Sequence, residues 1–121
     1  MDAVIQFIIG VNEVTIPEIQ FSRSLHFHTG TAIFHFEKPS LFEKQGLEEV
    51  LAEISGMYLI DSEGSIVITD VSANFTLGCP KAITATYMIT NRDDWDRFFR
   101  FMKGYAEKNG LVFNKRKPYF P

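Results

Sequence analysis

Hydrophobic and polar residues alternate over most of the first 90 positions, and this period of two predicts β-strands. The predicted strands are 3–9, 14–23, 31–36, 57–60, 65–77 and 82–90. Pro17 has no backbone N–H, so the second strand is predicted to be bulged, interrupted or at a sheet edge there. Tight turns are predicted at 61–64 and 77–80, where glycine can take a positive φ.

Two segments have helical spacing instead. A short helix is predicted near 47–54, ended by Gly56. A longer helix begins after Asn91, which is a good N-cap residue, and ends at Gly110. Its apolar stripe comprises Trp95, Phe98, Phe99, Met102, Tyr105 and Ala106. The predicted fold class is α+β: an antiparallel β-sheet with a C-terminal amphipathic helix and a shorter second helix packed on it.

Length and composition indicate one folded domain. The chain has 121 residues, and 12 of its aromatic side chains are Phe, which can fill the core of a small domain. We expect a single domain over 1–114, followed by a basic, flexible tail over 115–121. One cysteine cannot form an internal disulfide, so a reducing compartment is expected. The sequence offers neither a signal peptide pattern nor an apolar run of the roughly 18 residues that span a bilayer.

Charge is distributed unevenly along the chain. Residues 1–90 carry 4 basic and 11 acidic side chains, whereas residues 91–121 carry 8 basic and 4 acidic ones. The net charge of −3 argues against a nucleic-acid-binding protein. The basic C-terminal region is predicted to attract an acidic partner or an anionic membrane surface.

Few residues form a reactive constellation. His26, His28 and His35 could together bind zinc, but no cysteine or paired carboxylate lies at ligand spacing. Polar residues on a solvent-facing strand are therefore the favoured interpretation. We expect no catalytic residue, no metal and no cofactor.

The last helix has one feature that core packing does not fully explain. Phe101 lies away from the centre of the apolar stripe, next to Arg97, Gly104 and Lys108 on the helical wheel. A partly exposed Phe beside basic residues is typical of an interface anchor. The alternative is a stripe that is simply wide. Both interpretations stay open from the sequence.

Several segments resemble one known family, and together they cover nearly the whole chain. They are Ile5-Gln6-Phe7, Gly10-Val11-Asn12-Glu13, Ile16-Pro17, Ser22-Arg23-Ser24, Gly30-Thr31-Ala32, Ile54-Ser55-Gly56-Met57-Tyr58-Leu59-Ile60-Asp61, Glu63-Gly64, Ala85-Thr86-Tyr87, Trp95-Asp96-Arg97-Phe98, Arg100-Phe101-Met102, Tyr105-Ala106-Glu107 and Asn109-Gly110-Leu111. The sequence resembles the photosystem II accessory protein family that is numbered twenty-eight among the psb proteins.

The resemblance implies a non-catalytic assembly factor without a cofactor. It implies transient binding, on the cytoplasmic or stromal face of the thylakoid membrane, to photosystem II intermediates in cyanobacteria or plastids. The implied partners are reaction-centre subunits near the quinone-exchange region and the neighbouring core antenna subunit, whose strands extend the sheet. It further implies a peripheral protein with a soluble pool, monomeric when free, that protects the acceptor side during biogenesis or repair.

Three departures from the family pattern suggest a divergent paralogue. Residues 40–53 are longer than the usual connection, Gly104 replaces a large basic residue, and the tail from Lys115 is longer and more basic. A glycine inside a helix costs about 1 kcal/mol relative to alanine, so a packing or docking reason is expected.

The predicted docking surface combines an exposed strand edge, for which Pro17 marks a candidate, with basic residues of the C-terminal region. The predicted partner-binding residues are Arg23, Arg97, Arg100, Phe101 and Lys103. Charge reversal at Arg97 and Arg100 is expected to weaken docking without lowering the melting temperature.

The sequence leaves three alternative functions open. The first is a pigment- or small-ligand-binding module with the Phe-rich interior as a pocket. The second is an enzyme that uses the histidines. The third is an anionic-lipid-binding protein that uses residues 115–121.

Overall fold

The computed structural model describes residues 2–23, 29–43 and 46–111. The strands are β1 (Val4–Ile8), β2 (Val11–Asn12), β3 (Glu18–Arg23), β4 (Gly30–Glu37), β5 (Met57–Asp61), β6 (Gly64–Ile68), β7 (Asp70–Thr76) and β8 (Cys79–Ile89). The helices are α1 (Leu47–Glu53) and α2 (Arg92–Asn109), and a 3-10 turn covers Ser40–Glu43. The α+β class and both predicted helices are confirmed. The predicted tail, 115–121, and the predicted domain boundary at 114 lie outside the described residues.

The strands of the described residues form two antiparallel sheets of four strands each. The first sheet has the order β2-β1-β5-β6, and the second has the order β3-β4-β8-β7. The sequence pattern did not indicate this division. It arises because the chain leaves β4 through the 3-10 turn and α1, and β5 then pairs with β1. Within the described residues, β3 and β7 are the edges of the second sheet.

The prediction that the strand is bulged, interrupted or at a sheet edge at Pro17 is confirmed, because the predicted strand 14–23 begins only at Glu18 and forms an edge among the described residues. Pro17 is buried directly before β3, and β3 pairs with β4 alone in the described part of the chain. A residue without an N–H is best tolerated where no neighbouring strand requires that donor.

The core lies between the sheets and the C-terminal helix. On β4, Ala32, Phe34 and Phe36 are buried, as their alternation predicted. Phe36 meets Phe7 of the first sheet edge-to-face, with ring centroids 5.0 Å apart. Edge-to-face contact is a preferred geometry for aromatic rings because the positive ring edge approaches the negative ring face.

Helix α2 begins and ends as its sequence predicts. The Asn91 side chain accepts a hydrogen bond from the Asp94 N–H, and Gly110 adopts a left-handed φ of 70°. Phe98 packs edge-to-face on Phe34 and Tyr87 of the second sheet. The other end of the helix lies over the first sheet. All seven buried side chains of α2 are apolar or aromatic: Trp95, Phe98, Phe99, Phe101, Met102, Tyr105 and Ala106.

Gly104 lies where α2 crosses the start of the first sheet. A Cβ atom built on Gly104 would lie 3.7 Å from the Ala3 Cβ, which is ordinary van der Waals contact. Packing within the described residues therefore does not require a glycine at this position.

A buried carboxylate fixes the connection between β2 and the 3-10 turn. Glu13 Oε2 accepts hydrogen bonds from the Thr15 N–H (3.0 Å), the Ser40 N–H (2.7 Å) and the Ser40 hydroxyl (2.6 Å). Its Oε1 accepts one from the Leu41 N–H at 3.0 Å. Four donors thus converge on a side chain that is only 7% exposed. This arrangement positions the chain as it leaves the second sheet.

We expect Gly104→Ala to raise the free energy of unfolding by about 1 kcal/mol, because alanine is the better helix former and the added methyl group fits. Chemical denaturation measures the change. Gly110→Ala serves as the contrasting control, since it should lower stability at its left-handed position. A loss of stability in Gly104→Ala would show that packing does require the glycine.

We expect Glu13→Gln to lower the free energy of unfolding by about 2 kcal/mol. The amide NH2 group replaces a carboxylate oxygen that accepts hydrogen bonds, so one donor now faces another. The charge-assisted hydrogen bonds of the carboxylate are also lost. Urea denaturation measures the free energy of unfolding of this variant and of the control Glu18→Gln, which makes the same change at an exposed position. Equal stability of the two variants would contradict a structural role for Glu13.

Candidate docking surface

The edge strand β3 is the first component of the candidate surface. The side chains of Glu18, Gln20 and Ser22 face outward and are exposed. β3 pairs with β4 on one side, and its other backbone edge has no partner strand in the described residues. Unpaired backbone N–H and C=O groups of this kind can hydrogen-bond an added strand. A shallow cavity of about 350 Å³ adjoins the end of β3 and is lined by Ser22, Gly30 and Met88 among others.

Arg23 is the last residue of β3 and pairs with Gly30. A Cβ atom on Gly30 would lie 2.5 Å from the Ser22 carbonyl oxygen and 3.0 Å from the Trp95 ring. Glycine at this position therefore lets the end of the edge strand approach the start of α2 closely. The side chain of Arg23 lies outside the described residues, so its role in binding stays a prediction.

Arg97 joins α2 to the β5–β6 turn instead of facing a partner. Its guanidinium donates hydrogen bonds to both Asp61 carboxylate oxygens, at 3.0 and 2.7 Å, and to the Gly64 carbonyl at 3.2 Å. The side chains of Arg97 and Asp61 are only 19% and 12% exposed. A bidentate pair with so little exposure is a structural contact.

Arg100 forms a second and more exposed pair with the same turn. It donates hydrogen bonds to Glu63 from Nε (2.9 Å) and from Nη2 (3.0 Å). Hydrogen bonding to Arg100 lowers the pKa of the Glu63 carboxyl, and the same contact raises the pKa of the Arg100 guanidinium. Both groups therefore stay charged at neutral pH, and Arg100 remains accessible at one side of this pair.

The expectation that Phe101 is partly exposed is wrong. Its side chain is fully buried, at 0% exposure, and stacks on Tyr105 with ring centroids 5.8 Å apart. The apolar stripe is wide because α2 packs against parts of both sheets, so a residue at the margin of the stripe still meets the core. Phe101 is unavailable as an exposed anchor in this conformation.

Lys103 differs from the other cations of α2. Four of the five have carboxylate partners: Arg92 with Asp96, Arg97 with Asp61, Arg100 with Glu63 and Lys108 with Asp2. Lys103 is exposed and makes no ion pair within the described residues. It lies eight residues beyond Trp95, or about 12 Å along the helix. Lys103 is therefore separated along α2 from Trp95, the residue that lies near the end of β3.

The histidines do not assemble a metal site in the described part of the chain. His26 and His28 lie outside the described residues. His35 is half-buried, and its ring nitrogens contact Glu37 Oε2 at 2.9 Å and Thr84 Oγ1 at 3.2 Å. No group of three or more His, Cys, Asp or Glu side chains is placed to hold a metal within residues 2–23, 29–43 and 46–111.

The Phe-rich interior is filled by its own rings. Phe21 meets Trp95, Phe98 and Phe99 with centroid distances of 6.3, 5.7 and 6.4 Å. An apolar cavity of about 220 Å³ lies outside this cluster, between α1 and β7. Its volume is below the roughly 300–1,000 Å³ that is typical of small-molecule sites.

Asp61 and Glu63 are the residues that sequence reasoning missed. The segment 61–64 is the predicted turn between β5 and β6, but the turn also supplies both carboxylates that bind α2. The available signal was charge complementarity: two carboxylates on a turn, and two arginines three residues apart on a helix. That signal does not give the distance between them, because the partners are 36 and 37 residues apart in sequence.

The expectation that charge reversal of both arginines leaves the melting temperature unchanged is therefore revised for Arg97. We expect Arg97→Glu to lower the free energy of unfolding by about 3 kcal/mol, since it places a carboxylate against the nearly buried Asp61. Differential scanning calorimetry checks this. Arg100→Glu is the matched control with the same charge change at an exposed position, and it should cause a much smaller loss. Equal melting temperatures for the two variants would contradict the assignment of Arg97.

The helices of the described residues are too short or too polar to cross a lipid bilayer.

Comparison with known proteins identifies the same family that the sequence motifs resemble. The profile of the Psb28 protein family matches residues 5–113. The photosystem II reaction center Psb28 protein of Guillardia theta is 51% identical over 113 residues, which cover 93% of this chain and 96% of that protein. The protein of the same name from Acaryochloris marina is 47% identical, with coverage of 95% and 99%.

A plant relative matches in the same region. The chloroplastic photosystem II reaction center PSB28 protein of Arabidopsis thaliana is 43% identical over 93% of this chain and 60% of its own length. The matches span both sheets and α2, so the likeness extends over the whole described fold. The chain belongs to the Psb28 protein family.

Proposed function

We propose that this chain is a non-catalytic assembly factor that binds transiently to photosystem II intermediates. The observation that carries the proposal is the match to the Psb28 family over residues 5–113, whose members are named as photosystem II reaction center proteins. The proposed partners are reaction-centre subunits and the neighbouring core antenna subunit. The proposed location is the cytoplasmic or stromal face of the thylakoid membrane, with a soluble pool of free monomer.

The proposed docking mode is the addition of a partner strand to β3. Such β-augmentation obtains affinity from backbone hydrogen bonds and specificity from alternate side chains. The open edge of β3 and the exposed side chains of Glu18, Gln20 and Ser22 support this mode. Binding there supports biogenesis or repair by protecting the acceptor side of the unfinished complex.

Basic side chains guide the approach to the partner. Lys103 and Arg23 are the proposed contributors, with Arg100 as a third that remains exposed beside Glu63. Exposed charges at the rim of an interface act chiefly on the rate of association and on its salt dependence. Arg97 and Phe101 act indirectly, because they hold α2 in place.

The proposal that the chain performs no chemistry is supported by the surroundings of His35, the one histidine within the described residues. The His35 imidazole lies on an outer sheet face between Glu37 and Thr84, and none of the cavities described above encloses it. A general base needs a substrate held within hydrogen-bond distance, and an open sheet face supplies no such positioning.

We expect Lys103→Glu to reduce the recovery of photosystem II subunits several-fold in a tagged pull-down from thylakoid membranes, with an unchanged melting temperature. Recovery should also fall as the salt concentration rises, because the contact is electrostatic. Mass spectrometry of the captured subunits measures the effect and identifies the partners.

Lys108→Glu is the matched control for this experiment. It makes the same charge change on the same helix at an exposed site, and it lies at the end of α2 that is farther from β3. Equal losses for Lys103→Glu and Lys108→Glu would indicate a nonspecific charge effect. Absence of photosystem II subunits from the wild-type capture would contradict the proposed function itself.

A further inference from the structure

The turn between β7 and β8 exposes two large apolar side chains, of which Phe75 also lines the cavity between α1 and β7. Leu77 is 99% exposed at the tip, and Phe75 is 57% exposed two residues before it. Residues 71–80 contain no charged side chain, although the protein as a whole is acidic. The β7–β8 tip, defined as residues 75–80, is therefore an apolar projection.

The backbone at this tip makes leucine an unfavourable choice for folding alone. Leu77 and Gly78 both have positive φ, 52° and 78°, between the paired residues Thr76 and Cys79. Two-residue hairpin turns with positive φ at both central positions strongly prefer Asn-Gly. A leucine there is strained and gains no burial in return, which points to a role outside the folded chain.

Two lysines lie behind the tip. Lys81 follows Cys79 by two residues, or about 7 Å along the strand. The Lys38 N–H donates a hydrogen bond to the Lys81 carbonyl at 2.9 Å, so both lysines belong to the same end of the second sheet, and both are exposed. The nearby Glu37 carboxylate contacts the His35 imidazole. Along the sheet from the tip inward, the apolar side chains therefore come first and the lysines follow.

We propose that the β7–β8 tip inserts into the surface of a lipid bilayer that carries anionic lipid. Leu77 and Phe75 enter the boundary between headgroups and acyl chains, while Lys38 and Lys81 extend toward the anionic headgroups. With the tip pointing into the bilayer, the apolar side chains reach the depth of the acyl chains and the lysines behind them stay at the depth of the headgroups. This contact is independent of the β3 edge and of any protein partner.

The single cysteine provides a direct probe of insertion. Cys79 is exposed and lies two residues from Leu77, so an environment-sensitive NBD fluorophore attached to it reports the polarity around the tip. The full chain is mixed with vesicles of phosphatidylcholine alone or of phosphatidylcholine with anionic phosphatidylglycerol, whose negative surface potential attracts basic side chains. We expect a blue shift and increased emission that are stronger with phosphatidylglycerol.

Leu77→Asn is the decisive variant because it supplies the preferred Asn-Gly turn. Its melting temperature should equal or exceed that of the wild type, while its affinity for vesicles should fall about tenfold. The control variant Val67→Thr removes another exposed apolar side chain, from the edge strand β6, and should bind vesicles like the wild type. Both variants keep residues 115–121, so the basic tail contributes equally.

Three results would overturn the proposal. They are no spectral change of the labelled wild type with vesicles, an unchanged affinity of Leu77→Asn, or an equal loss in Val67→Thr. A spectral change with solubilised photosystem II but none with vesicles would assign the tip to a protein pocket and reject the lipid contact. Since the vesicles contain no protein, these results do not depend on the proposed assembly function.

Discussion

Helix α2 has more apolar surface than one sheet could cover, and the arrangement of the molecule depends on burying it. Seven side chains of this helix are buried, among them Trp95 and Phe98 over the second sheet. The start of the first sheet lies near Gly104, where only a small gap separates helix and strand. Apolar burial of this extent is the main favourable contribution to the stability of a small domain.

The same packing determines which charges remain available. Because α2 must lie across the first sheet, Arg97 and Arg100 meet the carboxylates of the β5–β6 turn and are paired inside the chain. Three of the five cations of α2 are therefore paired with acidic residues from the first two thirds of the sequence: Arg97 with Asp61, Arg100 with Glu63 and Lys108 with Asp2. Lys103 is the cation of α2 that has no ion pair among the described residues.

Local sequence signals predicted most elements but few of their tertiary relations. The single strand predicted at 65–77 is wrong, because this segment forms β6 and β7, which belong to different sheets. Asn91, Gly110 and the alternation on β4 act through neighbouring residues, so their consequences could be derived from the sequence. Pro17 likewise indicated an edge strand, because the missing donor is a local property.

The burial of Phe101 and the pairing of Arg97 with Asp61 depend on where α2 meets the sheets, which no local spacing specifies. The division into two sheets depends in the same way on the long connection that Glu13 anchors. Of the predicted docking residues, Lys103 and Arg100 are exposed, whereas Arg97 and Phe101 serve the fold.

In the proposed docking mode, a strand of the partner pairs with the backbone edge of β3 that has no neighbour among the described residues. Hydrogen–deuterium exchange of the full chain, free and bound to captured photosystem II intermediates, tests this directly. We expect increased protection of amides in 18–23 on binding, with β5 as the internal reference because it is already paired on both sides. Unchanged exchange in 18–23 within a complex that is fully bound would contradict it.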